Sequence, residues 1–196
     1  MEIENKSIET LNFYREPTEE EKIIRELVSQ YYHTVNNWYL WTQLDQSLNN
    51  FSDVYEKANV FFDETKRALL TTVIMGFCRL FDKDSRALSF YLFESDLESF
   101  RKTIDNERLK TVQNAYKILD EIRDQHISHH DKSRKQVKLI SDNINIIKDY
   151  VFDFLEYLGT IYLNNPNVVS YIPLKGVIEI NELIKSISCK HNAKST

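Results

Sequence analysis

The residues best suited to chemistry lie in one short polar segment, residues 121–131, with the sequence EIRDQHISHHD. Three of the chain's five histidines fall in it, beside an arginine and an aspartate. Histidine titrates near neutrality and can give or take a proton. Arginine stays charged and matches phosphate oxygens with two parallel donors. Since an RNA 2′-hydroxyl activated by a base can attack its own phosphorus without a metal, this set of residues suits phosphodiester cleavage.

The spacing within the segment allows an arginine and a histidine to act in one catalytic site. Arg123 and His129 are six positions apart, which on an unbroken helix places them roughly on one face, about 9 Å apart along the axis. Basic residues follow, whereas the whole chain carries a net charge of −5. We therefore expect local contact with RNA and no DNA specificity. The predicted RNA-binding residues are His126, Lys132, Arg134 and Lys135.

Two elements of the sequence resemble a known family. Residues 123–129, RDQHISH, are similar to the arginine–histidine signature of HEPN domains, small helical proteins that are often RNA-cleaving toxins. Residues 79–82, RLFD, resemble the RLxD element of the abortive-infection AbiU-type branch. The two elements stand in the order and at about the separation of that branch. Gln125 and Ser128 stand where lysine and alanine are common.

The resemblance implies a helical bundle that dimerises and places two copies of the motif in one shared cleft. Arg123 would hold the phosphate, His129 would transfer protons and Asp124 would orient the site. His130 offers a spacing one residue longer and is the alternate catalytic histidine. Cleavage would need no metal or cofactor and would leave a cyclic phosphate. The implied partners are RNA, a second copy of the chain, and an antitoxin protein of a toxin–antitoxin or phage-defence system.

Two other interpretations stay open. Arg123 and Asp124 can satisfy helix ends and loop carbonyls without chemistry. The chain would then be a non-catalytic dimeric helical module that binds a protein partner. Alternatively, His126 has a helical spacing to His129 and His130 that suits zinc, with Asp131 nearby. No further ligand cluster and no H-E-x-x-H pattern accompany these histidines, so we predict no metal site.

The elements that must position this segment are helices. Glycine and proline occur only three times each, too rarely for the many turns of a β-rich fold. Thr18 and Glu21 have the spacing of a capping box, which predicts a helix start. The apolar stripe that follows predicts a helix ending at Asn49-Asn50, with His33 as a core residue.

Two further patterns indicate long helices. The first runs from about Val54 to Leu80, with both Phe61 and Phe62 on its apolar face. At its C-terminal end Arg79 and Asp82 are interpreted as structural partners. The second is a heptad seam, which is typical of a core stripe or of pairing with a second subunit. Its members are Val137, Ile140, Ile144, Ile147, Val151, Phe154, Leu158 and Ile161.

These patterns predict an all-α protein, a single helical bundle of about five to six helices with long antiparallel helices and at least ~60% helix. We divide the chain into an N-terminal arm (1–16), a helical domain (17–190) and a disordered tail (191–196). The N-terminus lacks the features of a signal peptide, and no stretch approaches the ~20 apolar residues of a membrane span. With only two cysteines, Cys78 and Cys189, we predict a cytoplasmic protein without membrane contact.

Overall fold

The structure is a computed structural model that describes residues 15–124 and 141–169, together with positions 182 and 184. This part of the chain is 84% helical and contains no strand, which confirms the prediction of an all-α bundle. None of its helices is long and apolar enough to cross a membrane. The helices are α1 (Glu19–Asn50), α2 (Ser52–Lys57), α3 (Asn59–Leu80), α4 (Glu94–Thr103), α5 (Asn106–Ile122) and α6 (Ser141–Leu163), with a 3₁₀ helix (Phe90–Phe93) before α4.

Helix α1 begins at the predicted capping box. The Thr18 hydroxyl accepts from the Glu21 amide at 3.3 Å, and the Glu21 carboxylate accepts from the Thr18 amide at 2.9 Å. The helix ends at the predicted asparagine pair. The expectation that His33 is a core residue is wrong, because Tyr31 and Thr34 face the core and His33 is exposed between them.

The predicted second helix is interrupted near its start. Ala58 has φ −144° and ψ 35°, and this non-helical backbone separates α2 from α3. The break resets the helical phase, so Phe62 faces inward at 8% exposure. Phe61, expected on the apolar face, is 65% exposed.

The heptad seam lies in the core of its own chain. Within α6, Ile144, Ile147, Val151, Phe154 and Leu158 are all fully buried, in contact with the cluster that α1, α3 and α5 also supply. Ile161 departs from the pattern at 49% exposure. Positions 137 and 140 lie outside the described residues. The described part of the seam is therefore a core stripe, and its buried residues are not available to a second subunit.

Aromatic contacts anchor the segment between α3 and α5 against α6. The Phe154 ring lies 4.9 Å from the Phe90 ring and 5.2 Å from the Phe100 ring. The buried Ser89 hydroxyl donates to the Asp82 carbonyl at 2.6 Å, which fixes the loop after α3. These contacts hold α4 and the 3₁₀ helix against α6 and fix the loop that precedes them.

Helices α1 and α3 approach closely at Gly76. A β-carbon there would lie 2.2 Å from Oγ1 and 2.8 Å from Cγ2 of Thr34, which is buried and donates to the Gln30 carbonyl at 2.8 Å. We expect Gly76→Ala to lower the melting temperature. Overpacking typically costs about 1–3 kcal/mol, and a gain in helix propensity of about 1 kcal/mol offsets only part of it.

Thermal unfolding measures this effect. The matched background is Thr34→Ala, which removes both clashing atoms, so adding Gly76→Ala to it should cost much less than in the native chain. Equal costs in the two backgrounds would contradict the close approach of the helices.

Candidate functional site

Of the predicted catalytic residues, Arg123 and Asp124 fall within the described stretches, at the C-terminal end of α5. Asp105 caps the start of the helix, since its carboxylate accepts from the Arg108 amide at 2.8 Å. Residues 123–124 continue the helical backbone, and the Arg123 amide donates to the carbonyls of Leu119 and Asp120. The local helix therefore carries the arginine and its neighbouring aspartate out at one end of the bundle.

Two carboxylates hold the Arg123 guanidinium. Its Nη2 lies 2.9 Å from Oδ1 of Asp120 and 2.8 Å from Oδ1 of Asp124, and Nε donates to the latter oxygen at 3.0 Å. Burial acts to lower the pKa of Arg123, but Asp124 and Asp120 act more strongly together and raise it. The guanidinium thus stays charged and has a fixed orientation.

A buried thiol from α3 lies behind this arginine. Burial raises the pKa of Cys78 to about 12, although the charge of Arg123 opposes the shift. The thiol is 2% exposed. Because nucleophilic cysteines need an accessible thiolate, Cys78 is a packing residue that joins the ends of α3 and α5.

A cleft of about 460 Å³ opens beside Arg123. Its walls come from the loop after α3, the 3₁₀ helix, α4, α5 and α6. This volume lies within the range of small-molecule sites, roughly 300–1,000 Å³. The charged residues that line it are Asp82, Lys83, Arg101, Asp120 and Arg123. The aromatic residues that line it are Phe81, Tyr91, Tyr116 and Tyr150.

The aromatic lining is packed and partly covered by a cation. The Phe81 ring lies 5.0 Å from Tyr116 and 6.1 Å from Tyr150. The Lys83 Nζ lies 5.5 Å from the centre of the Tyr91 ring. Single-stranded nucleic acids bind to surfaces of this kind, because their bases stack on aromatic rings and their phosphates contact cations.

The two sequence elements behind the family resemblance reach the same cleft. Asp82, from residues 79–82, lines the cleft together with Arg123. Arg79 is exposed, and the described part of the chain contains no ion pair between it and Asp82. The carboxylate of Asp82 instead accepts from the Asp84 amide at 2.9 Å. The two residues are therefore not partners of each other, whereas Asp82 organises the loop after α3 through its carboxylate and its carbonyl.

The remaining predicted site residues fall in residues 125–140, outside the described part of the chain, and their roles stay predictions. They are His126, His129, His130, Lys132, Arg134 and Lys135. The alternative histidine-based metal site, with Asp131, lies in the same segment. Among the described residues, no group of three or more His, Cys, Asp or Glu side chains is arranged to hold a metal.

Several cleft residues carry no signal in the sequence. Lys83 and Arg101 are ordinary charged residues of a loop and an amphipathic helix, and the sequence pattern alone does not distinguish Tyr91 and Tyr150 from core aromatics. Only the packing of α4 and α6 brings these four side chains into the cleft that Arg123 lines. No motif spacing could have linked them, because they come from four different elements.

The described helices form the all-α bundle that the resemblance to HEPN domains implied. Residues 19–167 match the family model HEPN_AbiU2, described as AbiU2. The match covers most of the chain, which therefore belongs to the HEPN AbiU2 family, as the resemblance of the two elements predicted. No curated protein and no solved structure matches the chain.

Proposed function

We propose that the chain is a metal-independent RNA endonuclease of a toxin–antitoxin or phage-defence system. The observation that carries the proposal is the charged, oriented guanidinium of Arg123 at a cleft with aromatic walls. A preorganised cation stabilises charge that develops on a phosphate in the transition state. Its two carboxylate partners supply the orientation before any substrate arrives.

In the proposed reaction, a base removes the proton of the RNA 2′-hydroxyl and the 2′-oxygen bonds to phosphorus. The bond from phosphorus to the 5′-oxygen breaks, and the leaving oxygen takes a proton. The products are a 2′,3′-cyclic phosphate and a 5′-hydroxyl. Arg123 binds the phosphate, Asp124 orients Arg123, and His129 takes part in proton transfer, with His130 as the alternative.

Cleavage should be unaffected by EDTA, because the proposed groups are an arginine and a histidine. The measurement is the rate of cleavage of a labelled single-stranded RNA before and after chelation. The same reaction should leave a cyclic phosphate end. Loss of activity on chelation and its return with zinc would support the histidine-based metal site instead.

The proposed active form is a homodimer in which two copies of the motif share one cleft. Light scattering at micromolar concentration should give twice the chain mass of 23.3 kDa. Because the buried seam of α6 is not available to a partner, the interface must use other surfaces. A monomeric mass for an active protein would rule out the shared cleft.

The second candidate is a non-catalytic dimeric module that binds a protein partner, such as an antitoxin. One observation favours it: ion pairs with Asp120 and Asp124 would also explain Arg123 as a residue that only stabilises the end of α5. The adjacent side chains of Val60 and Phe61, 72% and 65% exposed, offer apolar surface for contact. The effect of an Arg123 substitution on RNA cleavage and on stability distinguishes the two candidate functions.

A further inference from the structure

We propose that Arg101 and Lys83 form a second phosphate subsite in the Arg123 cleft, which binds a phosphate of single-stranded RNA next to the scissile one. The choice of RNA rests on the proposed function. The subsite itself rests on three features of the cleft: a cation without a counter-charge, neutral groups that position it, and a neighbouring aromatic ring with a second cation.

Arg101 is a half-buried cation without a carboxylate partner. It lines the cleft from α4, and none of the ion pairs among the described residues includes it. Its Nε is buried and has no hydrogen-bond partner within the same residues. Burial of a charge without a counter-charge is costly. An anion that enters the cleft would supply the missing charge. Arg123, by contrast, already has two carboxylates.

Neutral groups hold Arg101 in place without cancelling its charge. The hydroxyl groups of Tyr150 and Tyr91 lie beside the guanidinium. Burial acts to lower the pKa of Arg101, but these two tyrosines raise it overall. Tyr150 is itself 1% exposed and packed at 5.5 Å against Phe100, so the support is rigid. A guanidinium that is positioned and charged in this way matches the geometry of phosphate oxygens.

Lys83 and Tyr91 extend the subsite toward the opening of the cleft. Lys83 is exposed, and its Nζ lies over the Tyr91 ring at 5.5 Å. A cation beside an aromatic face suits a nucleotide, which presents a phosphate and a base together. A base that stacks there must have left its helix, so the ligand is single-stranded. The shared cleft with Arg123 places this nucleotide beside the scissile phosphate.

The test compares two substrates that differ in the number of phosphates. A dinucleoside monophosphate contains only the scissile phosphate, whereas a longer single-stranded RNA also fills the second subsite. Arg101→Gln and Lys83→Gln should each lower kcat/KM for the longer RNA about tenfold or more, mainly by raising KM. The reason is that the free energy of one hydrogen bond to a charged group corresponds to about a tenfold or larger change in affinity. The loss on the dinucleotide, which has no phosphate for this subsite, should be much smaller.

The matched control is Arg108→Gln on α5, which removes an equal charge from an arginine that pairs with Asp153 and does not line this cleft. This variant should cleave both substrates with the kcat/KM of the native protein. Because Lys83 lies on an exposed loop, its variant should fold even if that of Arg101 does not. Equal losses on both substrates would assign Arg101 a structural role. No loss on either substrate would overturn the proposal.

Binding of a 2′-O-methyl oligonucleotide, which cannot be cleaved, separates this subsite from the proposed function. Each variant should weaken binding and reduce the dependence of log K on log salt by about 0.7, the loss of one phosphate contact. If native protein binds the oligonucleotide through Arg101 but cleaves no RNA, the subsite stands and the proposed function fails. Binding of inorganic phosphate alone, with no binding of the oligonucleotide, would overturn the assignment to RNA.

Discussion

Arg123→Ala should lower RNA cleavage a hundredfold or more. A methyl group cannot offset the charge that builds on the phosphate, and the loss of one preorganised donor typically costs about 10²–10³ in rate. The measurement is the single-turnover rate on a labelled single-stranded RNA. The rate of Arg123→Lys should fall between those of the native protein and Arg123→Ala, because lysine retains the charge but loses the planar pair of donors.

The same substitution should leave the fold intact. The ion pairs of Arg123 with Asp120 and Asp124 are partly exposed, and exposed pairs contribute about 1 kcal/mol or less. Arg108→Ala is the matched control, since it removes an ion-paired arginine from the same helix but outside the cleft. It should retain activity with a similar melting temperature. If Arg123→Ala unfolds the protein or leaves cleavage unchanged, the arginine is structural and the interaction module becomes the better hypothesis.

His129→Ala should lower cleavage to a similar extent, because general acid–base catalysis contributes about 10²–10⁴ in rate. This prediction rests on residue type and on spacing from Arg123, since position 129 lies outside the described residues. The product should still be a cyclic phosphate, formed more slowly. The measurement is again the single-turnover rate, with thermal unfolding beside it.

The neighbouring histidines provide the controls for this variant. His126→Ala should lower the rate of cleavage less, because His126 lies only three residues from Arg123 and does not match the arginine–histidine spacing. His130→Ala decides between the two spacings that the sequence allows. A large loss with His130→Ala and none with His129→Ala would transfer the catalytic role to His130. Full activity in both variants would contradict histidine catalysis at this segment.

The sequence by itself determined the helical class and much of its layout. Scarce glycine and proline, together with apolar residues at helical spacing, favour long helices whatever their partners are. The capping box of Thr18 and Glu21 is local, since its four residues carry the whole signal. The family was also recognisable, because its two elements are short and contiguous in residues 79–82 and 123–129.

Periodicity alone was insufficient where a contact depends on distant residues. It did not reveal the break at Ala58, and it placed both Phe61 and Phe62 on the apolar face, although only Phe62 faces the core. It also left the seam of α6, which in a bundle is most often a core stripe, open to pairing with a second subunit. Only packing against α1 and α5 decided that its residues from Ile144 to Leu158 are internal. A stripe specifies a buried face but not the surface that covers it.

The candidate site was also predictable from the sequence only in part. Arg123 and Asp124 could be found from the sequence because they are adjacent in a motif. Their orientation and cleft could not, because Asp82, Arg101 and Tyr150 come from a loop and two other helices. Those side chains meet only after α4 and α6 have packed, since their contacts span large separations along the chain. The motif therefore specified which arginine to consider, and the tertiary structure decided which charges and rings surround it.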